Sequence, residues 1–244
     1  MKRVLLTIAY DGTAYHGWQV QPNGITVQEI LQDSLEKILG ERPCVTGCSR
    51  TDAGVHAKEF CLHLDCDEKI PEAAFLRGLN SVLPNDISVK KCQEVESDFH
   101  ARYNAKGKTY VYTIYNGKIK DPFLSRYAWH IERSLNIDRM NLFCKKIIGK
   151  HDFYAFSSSG RTVTDTVRTV SECFVEKHGD VISLHITADG FLYNMVRIIT
   201  GTAVEVSDGK IDPEKIGEIL ISKRRELAGI TAPPMGLRLE KVLY

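Results

Sequence analysis

The sequence has few of the features that mark a membrane, secreted or metal-stabilised protein. No apolar run approaches the ~18 residues that a helical membrane span needs. The stretch from Met1 to Tyr10 reads as a strand and carries no signal-peptide cleavage pattern, so a cytoplasmic location is expected. Cysteines number seven, an odd count that argues against a disulfide framework and for reduced thiols acting as small core residues. Cys44 and Cys48 are four apart and Cys61 and Cys66 five, so neither pair has the C-x-x-C spacing of structural zinc, and no metal is expected. There is no low-complexity linker. The Gly-bearing stretch Tyr10-Asp11-Gly12-Thr13-Ala14-Tyr15-His16-Gly17-Trp18-Gln19 lacks the Lys-Ser/Thr ending of a phosphate-binding Walker loop.

What is present describes a well-packed protein of 244 residues, 43% hydrophobic and 26% charged, long enough for one large domain or two small ones. The net charge of +1 conceals an asymmetry. Residues 1–103 carry 11 Lys+Arg against 15 Asp+Glu, and residues 104–244 carry 21 against 16. The most basic stretch, residues 105–133, holds Lys106, Lys108, Lys118, Lys120, Arg126 and Arg133 against Asp121 and Glu132. Such a block suits either a solvated surface or a local face for a polyanion.

Periodicity divides the chain into two α+β halves, residues 1–103 and 104–244. In the first, residues 3–9 read as a strand. Thr26 to Leu39 reads as a helix with Val27, Ile30, Leu31, Leu35 and Ile38 on one face, a capping-box spacing from Thr26 to Glu29, and Gly40 as its stop. Strands follow at 45–48 and 60–64, a second helix at 71–82 and a strand at 87–92. The order β-α-β-β-α-β is that of a ferredoxin-like unit. The second half repeats it loosely: a strand at 109–115, a helix at 137–148 started by Asp138, a hairpin of 167–176 with 181–187, helices at 191–204 and 213–221, and a strand at 237–242.

Three segments carry residues suited to chemistry. In Ser49-Arg50-Thr51-Asp52-Ala53-Gly54-Val55-His56-Ala57, a loop between two strands presents one carboxylate, Asp52, with Arg50 two positions before it and Gly54 free to turn beside it. No second acid lies within six residues of Asp52, so a local carboxylate pair is absent. In Lys106-Gly107-Lys108-Thr109-Tyr110-Val111-Tyr112, two lysines lead into a strand with two tyrosines on one face, a pattern that suits phosphate and nucleobase as well as a plain core pair. In residues 190–201, Arg197 sits mid-helix among apolar residues. A buried guanidinium there needs a partner, for which Asp52 is a candidate, unless Arg197 reaches the surface or pairs with a structural acid.

Together these segments resemble the TruA family of tRNA pseudouridine synthases. SRTDAGVHA, KTYVY, FLYNMVR and the opening YDGTAYHGWQ occur in that family's order, FHARY and HDFYAF also fit, and the likeness runs from Leu5 to the end of the chain. The resemblance implies two α+β halves with joined antiparallel sheets and an RNA-binding cleft. It implies a homodimer with tRNA as partner and neither cofactor nor catalytic metal. The implied reaction is isomerisation of uridine to pseudouridine at tRNA positions 38, 39 and 40 in the anticodon stem-loop. Asp52 would then be the nucleophile, Arg197 its charge partner and Tyr110 a ring stacked on the target uracil. Arg50 would hold the space that the flipped base vacates, with Lys106 and Lys108 on phosphate. Two rivals are a non-catalytic RNA-binding module, because ferredoxin-like units do not fix function, and a glycosidic-bond hydrolase, which ordinarily wants two carboxyl groups.

Overall fold

The computed structural model describes residues 1–160 and 163–244. The fold is α+β, in two compact units: Met1–Lys106 with Arg238–Tyr244, and Gly107–Leu237.

The first unit is built on β1 (Lys2–Tyr10), a nearly continuous buried run that accepts partners on both sides. After it come α1 (Val27–Leu39), β2 (Thr46–Gly47), β3 (His56–Cys66), α2 (Leu79–Val82) and β4 (Ile87–Val95), the expected order. β3 and β4 flank β1 and run antiparallel to it, while β2 pairs with β3. The ends of α1 are chemically marked. The Thr26 hydroxyl accepts the Glu29 amide, and Gly40 closes the helix at φ +82°, a left-handed conformation that costs glycine least. The second helix departs from a uniform spiral: a π-helical stretch, Ala74–Gly78, precedes α2. From α2, the Asn80 side chain exchanges bonds of 2.8 and 2.9 Å with the Val89 backbone and so fastens this element to β4.

In the second unit, β5 (Gly107–Tyr115) is followed by β6 (Trp129–His130), α3 (Ile137–Ile147), β7 (Gly149–Asp152), β8 (Val167–His178), β9 (Val181–Ala188), α4 (Met195–Ser207) and α5 (Ile216–Ser222). β5, β9, β8 and β7 form an antiparallel succession, with β6 parallel to β5. The β8–β9 hairpin turns on Gly179, whose φ of +59° fits the first position of a two-residue turn. The two short strands β6 and β7 carry no alternating run that would betray them in sequence.

Local boundaries differ from the periodic reading where side chains compete with the helix. α3 is capped by Asn136, whose Oδ1 accepts the Arg139 amide at 3.0 Å, and Asp138 lies inside the first turn. α4 begins at Met195 rather than Phe191, because Asn194 takes φ +60° and breaks the spiral before it. The segment at 213–221 is a 3-10 turn, Pro213–Lys215, that passes into α5. The strand at 45–48 contracts to Thr46–Gly47 because the chain leaves for the Asp52 loop.

The last strand, β10 (Leu237–Leu243), is counted with the first unit from Arg238 onward. It lies parallel to β3 through Arg238 opposite His56 and Leu239 opposite Ala57, and the Lys106 amide donates to the Leu243 carbonyl at 2.8 Å. All seven cysteines are free, and all but Cys44 are buried. No helix is long and apolar enough to cross a membrane among the described residues.

α4 packs so closely on the segment after α5 that a Cβ on Gly201 would stand 1.8 Å from the Ile230 carbonyl oxygen. Gly217, on the exposed side of α5, has nothing within 4 Å of its Cβ position and no positive φ. Gly201→Ala is therefore expected to cost about 3 kcal/mol through overpacking against rigid backbone, whereas Gly217→Ala gains about 0.5–1 kcal/mol. Urea unfolding of the two variants tests the contrast, and equal midpoints would refute the close approach.

Candidate active site

Asp52 lies on the loop that joins β2 to β3, between Thr51, which is buried, and Ala53, which is exposed. A turn from Asp52 to Val55 is closed by the Val55 amide donating to the Asp52 carbonyl at 3.2 Å, and Gly54 at φ +75° supplies the conformation a type II turn requires. Thr51 is tied inward: its hydroxyl meets the Tyr10 hydroxyl at 2.8 Å. Tyr10 is aimed there by a register slip between Ile8 and Tyr10 in the β1–β3 pairing, the usual effect of a β-bulge. With Thr51 turned inward, Arg50 is exposed and Asp52 half-buried.

The loop after β1 is the support of this arrangement, a role that its glycines and aromatics did not reveal in sequence. It crosses the Asp52 loop and bonds to both flanks: the Trp18 amide donates to the Thr51 carbonyl at 3.1 Å, and the Gly54 amide to the Tyr15 carbonyl at 3.2 Å. The crossing leaves no room for side chains at two points. A Cβ on Gly12 would fall 2.0 Å from the Val55 carbonyl oxygen, and one on Gly17, itself at φ +84°, 2.5 Å from that of Thr51. The crossing loop is in turn anchored elsewhere. The Tyr15 hydroxyl donates to Asp86 at 2.7 Å, Trp18 packs on Phe60 with centroids 4.1 Å apart, and the Gln28 amide in α1 donates to the Trp18 carbonyl. Burial, reinforced by the bond to Asp86, pushes the Tyr15 phenol far above its ordinary pKa and keeps it protonated as a donor. His56 closes the loop's far end, its Nδ1 3.0 Å from the Gly12 amide and 3.1 Å from an Asp11 carboxylate oxygen.

In the second unit, Tyr110 is buried on β5 opposite Ile186, and its ring meets Phe191 edge-on at 5.0 Å. Tyr112 has a structural role: it is fully buried and donates its hydroxyl to the Pro233 carbonyl at 2.7 Å. The two lysines before them also part company, Lys106 being exposed and Lys108 buried at 8%. Arg197, on the first turn of α4, is half-buried rather than enclosed. Its Nε donates to the Ala232 carbonyl at 2.7 Å and its Nη1 to Asn194 Oδ1 at 2.8 Å, and the Ala232 amide donates back to the Arg197 carbonyl at 3.1 Å. Asn194 is itself steadied by Ser158, to whose hydroxyl its Nδ2 donates at 3.0 Å. These two carbonyl oxygens take the Nε and one Nη donor and so orient the guanidinium. Asn194 escaped sequence reasoning because it looks like one more residue of an apolar helix.

Among the described residues no three His, Cys, Asp or Glu side chains cluster as metal ligands would. A family model described as tRNA pseudouridine synthase matches residues 6–104 and 143–244. The chain belongs to that family. Within it, the chain is similar to tRNA pseudouridine synthase A of Thermoanaerobacter sp. strain X514, at 49% identity over 100% of both chains. It is also similar to tRNA pseudouridine synthase A 2 of Clostridium perfringens strain 13, at 46% over 100% of both. A solved archaeal box H/ACA sRNP Nop10-Cbf5 complex superposes over 97% of the chain and 48% of that structure's chain at 12% identity and TM-score 0.38, too loosely to bear on the site. The protein is accordingly an isomerase that converts uridine to pseudouridine in tRNA.

The crossing glycines of this pseudouridine synthase generate a direct expectation. Gly12→Ala must push the Asp52 loop off its support, and on the role proposed below for Asp52 a displacement of about 1 Å costs about 100-fold in rate. Tritium release from [5-³H]uridine-tRNA measures the loss, with the unfolding midpoint as control. Full activity in a folded variant would show that the crossing does not hold the loop.

Proposed function

We propose that the enzyme modifies the anticodon stem-loop at tRNA positions 38, 39 and 40, with Asp52 as nucleophile. The observation that carries the reading is the mounting of Asp52: one half-buried carboxylate on a loop whose peptides are bonded on both flanks and whose neighbour Thr51 is tied into the core. A nucleophile held in place before substrate arrives loses little entropy in reaching its reactive geometry.

The reaction breaks the C1′–N1 glycosidic bond, turns the uracil and rejoins it through C5. N1 gains a proton and C5 loses one, so no electrons are exchanged with any other molecule. Asp52 attacks C1′ or C6, or assists elimination to a glycal; each route uses the same carboxylate. Burial raises the pKa of a carboxyl group and a guanidinium lowers it, and Arg197, oriented by Ala232 and Asn194, is the cation we propose for that role. Tyr110, with its edge on Phe191, stacks on the target uracil and serves the proton movement at C5. Arg50, exposed beside Asp52, occupies the gap left by the flipped base, at a site where unstacking costs a few kcal/mol. Lys106 is exposed for phosphate contact, and Lys108, more enclosed, acts where RNA approaches closely. The enzyme is expected to work as a homodimer in the cytoplasm, without cofactor.

Asp52→Ala is expected to abolish tritium release while retaining tRNA binding, and Tyr110→Phe to lower it modestly if stacking is the ring's main role. Substantial turnover by Asp52→Ala would overturn the assignment. Free uracil and an abasic site among the products, in place of pseudouridine retained in the RNA, would point to hydrolysis.

A further inference from the structure

Three cations of the basic block that stood out in sequence, Lys118, Lys120 and Arg126, fall on one loop, residues 117–128, between β5 and β6. Its tip exposes apolar side chains to an unusual degree: Phe123 is 88% exposed, Ile119 81% and Tyr127 45%. Lys118, Lys120 and Arg126 are exposed among them. Neither Lys118 nor Lys120 pairs with a carboxylate among the described residues, and the loop's one acid, Asp121, uses an oxygen to accept the Phe123 amide at 2.8 Å. Arg133 is withdrawn from the patch by a two-pronged ion pair with Asp208, at 2.8 and 2.6 Å.

The loop is built to stand out. At its root the Ile131 amide donates to the Tyr115 carbonyl at 2.9 Å, and Asn116 Nδ2 donates to the carbonyls of Ile131 and Arg133, both at 2.7 Å. His130 stacks on Tyr115 with centroids 5.6 Å apart and bonds the Gly117 carbonyl. Near the tip, the Leu124 amide donates to the Asp121 carbonyl and the Tyr127 amide to that of Leu124, at 3.2 and 2.9 Å. A braced loop that keeps a phenylalanine almost wholly in water, ringed by cations, has the composition of a surface for RNA, in which ring faces stack on bases and ammonium groups meet phosphates.

We infer that this loop is a second tRNA contact, separate from the reacting nucleotide, in which Phe123 packs on a base or ribose and Lys118, Lys120 and Arg126 hold phosphates. The inference rests on the tRNA reading above. The charge favours RNA over a second copy of the chain as occupant, because the loop offers three exposed cations while its one acid is engaged with the Phe123 amide. Tyr115 lies five positions beyond Tyr110 on β5, about 17 Å of strand, so the loop meets RNA away from the uridine that Tyr110 is proposed to stack on.

The test is tRNA binding by fluorescence anisotropy over a range of salt for the full chain. Phe123→Ala is expected to raise Kd about tenfold without altering the salt slope. Lys118→Ala with Lys120→Ala is expected to flatten the slope of log K against log salt by about 1.5, the share of two phosphates. Ile221→Ala, an 83% exposed residue on α5, is the control and should bind as wild type does. The exposed Phe123 side chain is expected to add little to the core, so its loss should leave the fold intact. Unchanged Kd and slope would overturn the proposal. So would a weakened Kd accompanied by a fall in sedimentation coefficient, which would assign the loop to an interface between copies. Tritium release by wild type on the same tRNA decides the catalytic reading separately.

Discussion

The first unit depends on one crossing of backbone over backbone. Two amide bonds, Trp18 to Thr51 and Gly54 to Tyr15, hold the loop after β1 against the loop that carries Asp52. Each is an ordinary hydrogen bond worth about 1 kcal/mol net. They form only because Gly12 and Gly17 present no Cβ where the chains meet. The tyrosine, tryptophan and histidine around them serve the same end. Tyr15 and Trp18 lock the crossing loop to Asp86, Phe60 and the first turn of α1, and His56 holds Gly12, so that the carboxylate is mounted on the core of its unit.

The second unit solves a related problem for a cation. Arg197 emerges from a helix that is otherwise buried almost all round, and a guanidinium there needs its donors satisfied and its direction fixed. Backbone and amide oxygens do this: Ala232 and Asn194 take two of its donors, and the segment that carries Ala232 is drawn against α4 by the contact of Gly201 with Ile230 and by the Gly229 amide donating to Thr202 at 2.9 Å. The left-handed Asn194 has a cost in backbone energy, and it both starts the helix and orients the arginine.

Electrostatics divides the positive residues by what they do. Arg133 is spent on Asp208, holding that carboxyl below its ordinary range chiefly through their hydrogen bond, and Arg197 is spent on orientation. Lys106, Lys118 and Lys120 remain at the surface. A net charge of +1 for the whole chain is therefore compatible with a strongly cationic local face, because the acids are occupied elsewhere.

The sequence by itself determined the local elements whose causes are local. Thr26 and Gly40 bound α1 because capping chemistry acts within a turn. The β8–β9 hairpin follows from alternation broken at Gly179. The order β-α-β-β-α-β of the first unit follows from hydrophobic periods alone, and Asp52, Tyr110 and Arg197 stood out by residue type and setting. Tertiary structure decided what depends on residues far apart in the chain. Asn194 ends one conformation and begins a helix because Ser158 and Arg197 engage its side chain. β10 returns to β3 because a pairing partner lies there, and two-residue strands have no period to read. Gly12 and Gly17 are silent in one dimension, since a glycine's importance lies in the atom that would collide with its missing Cβ, and that atom belongs to another part of the chain.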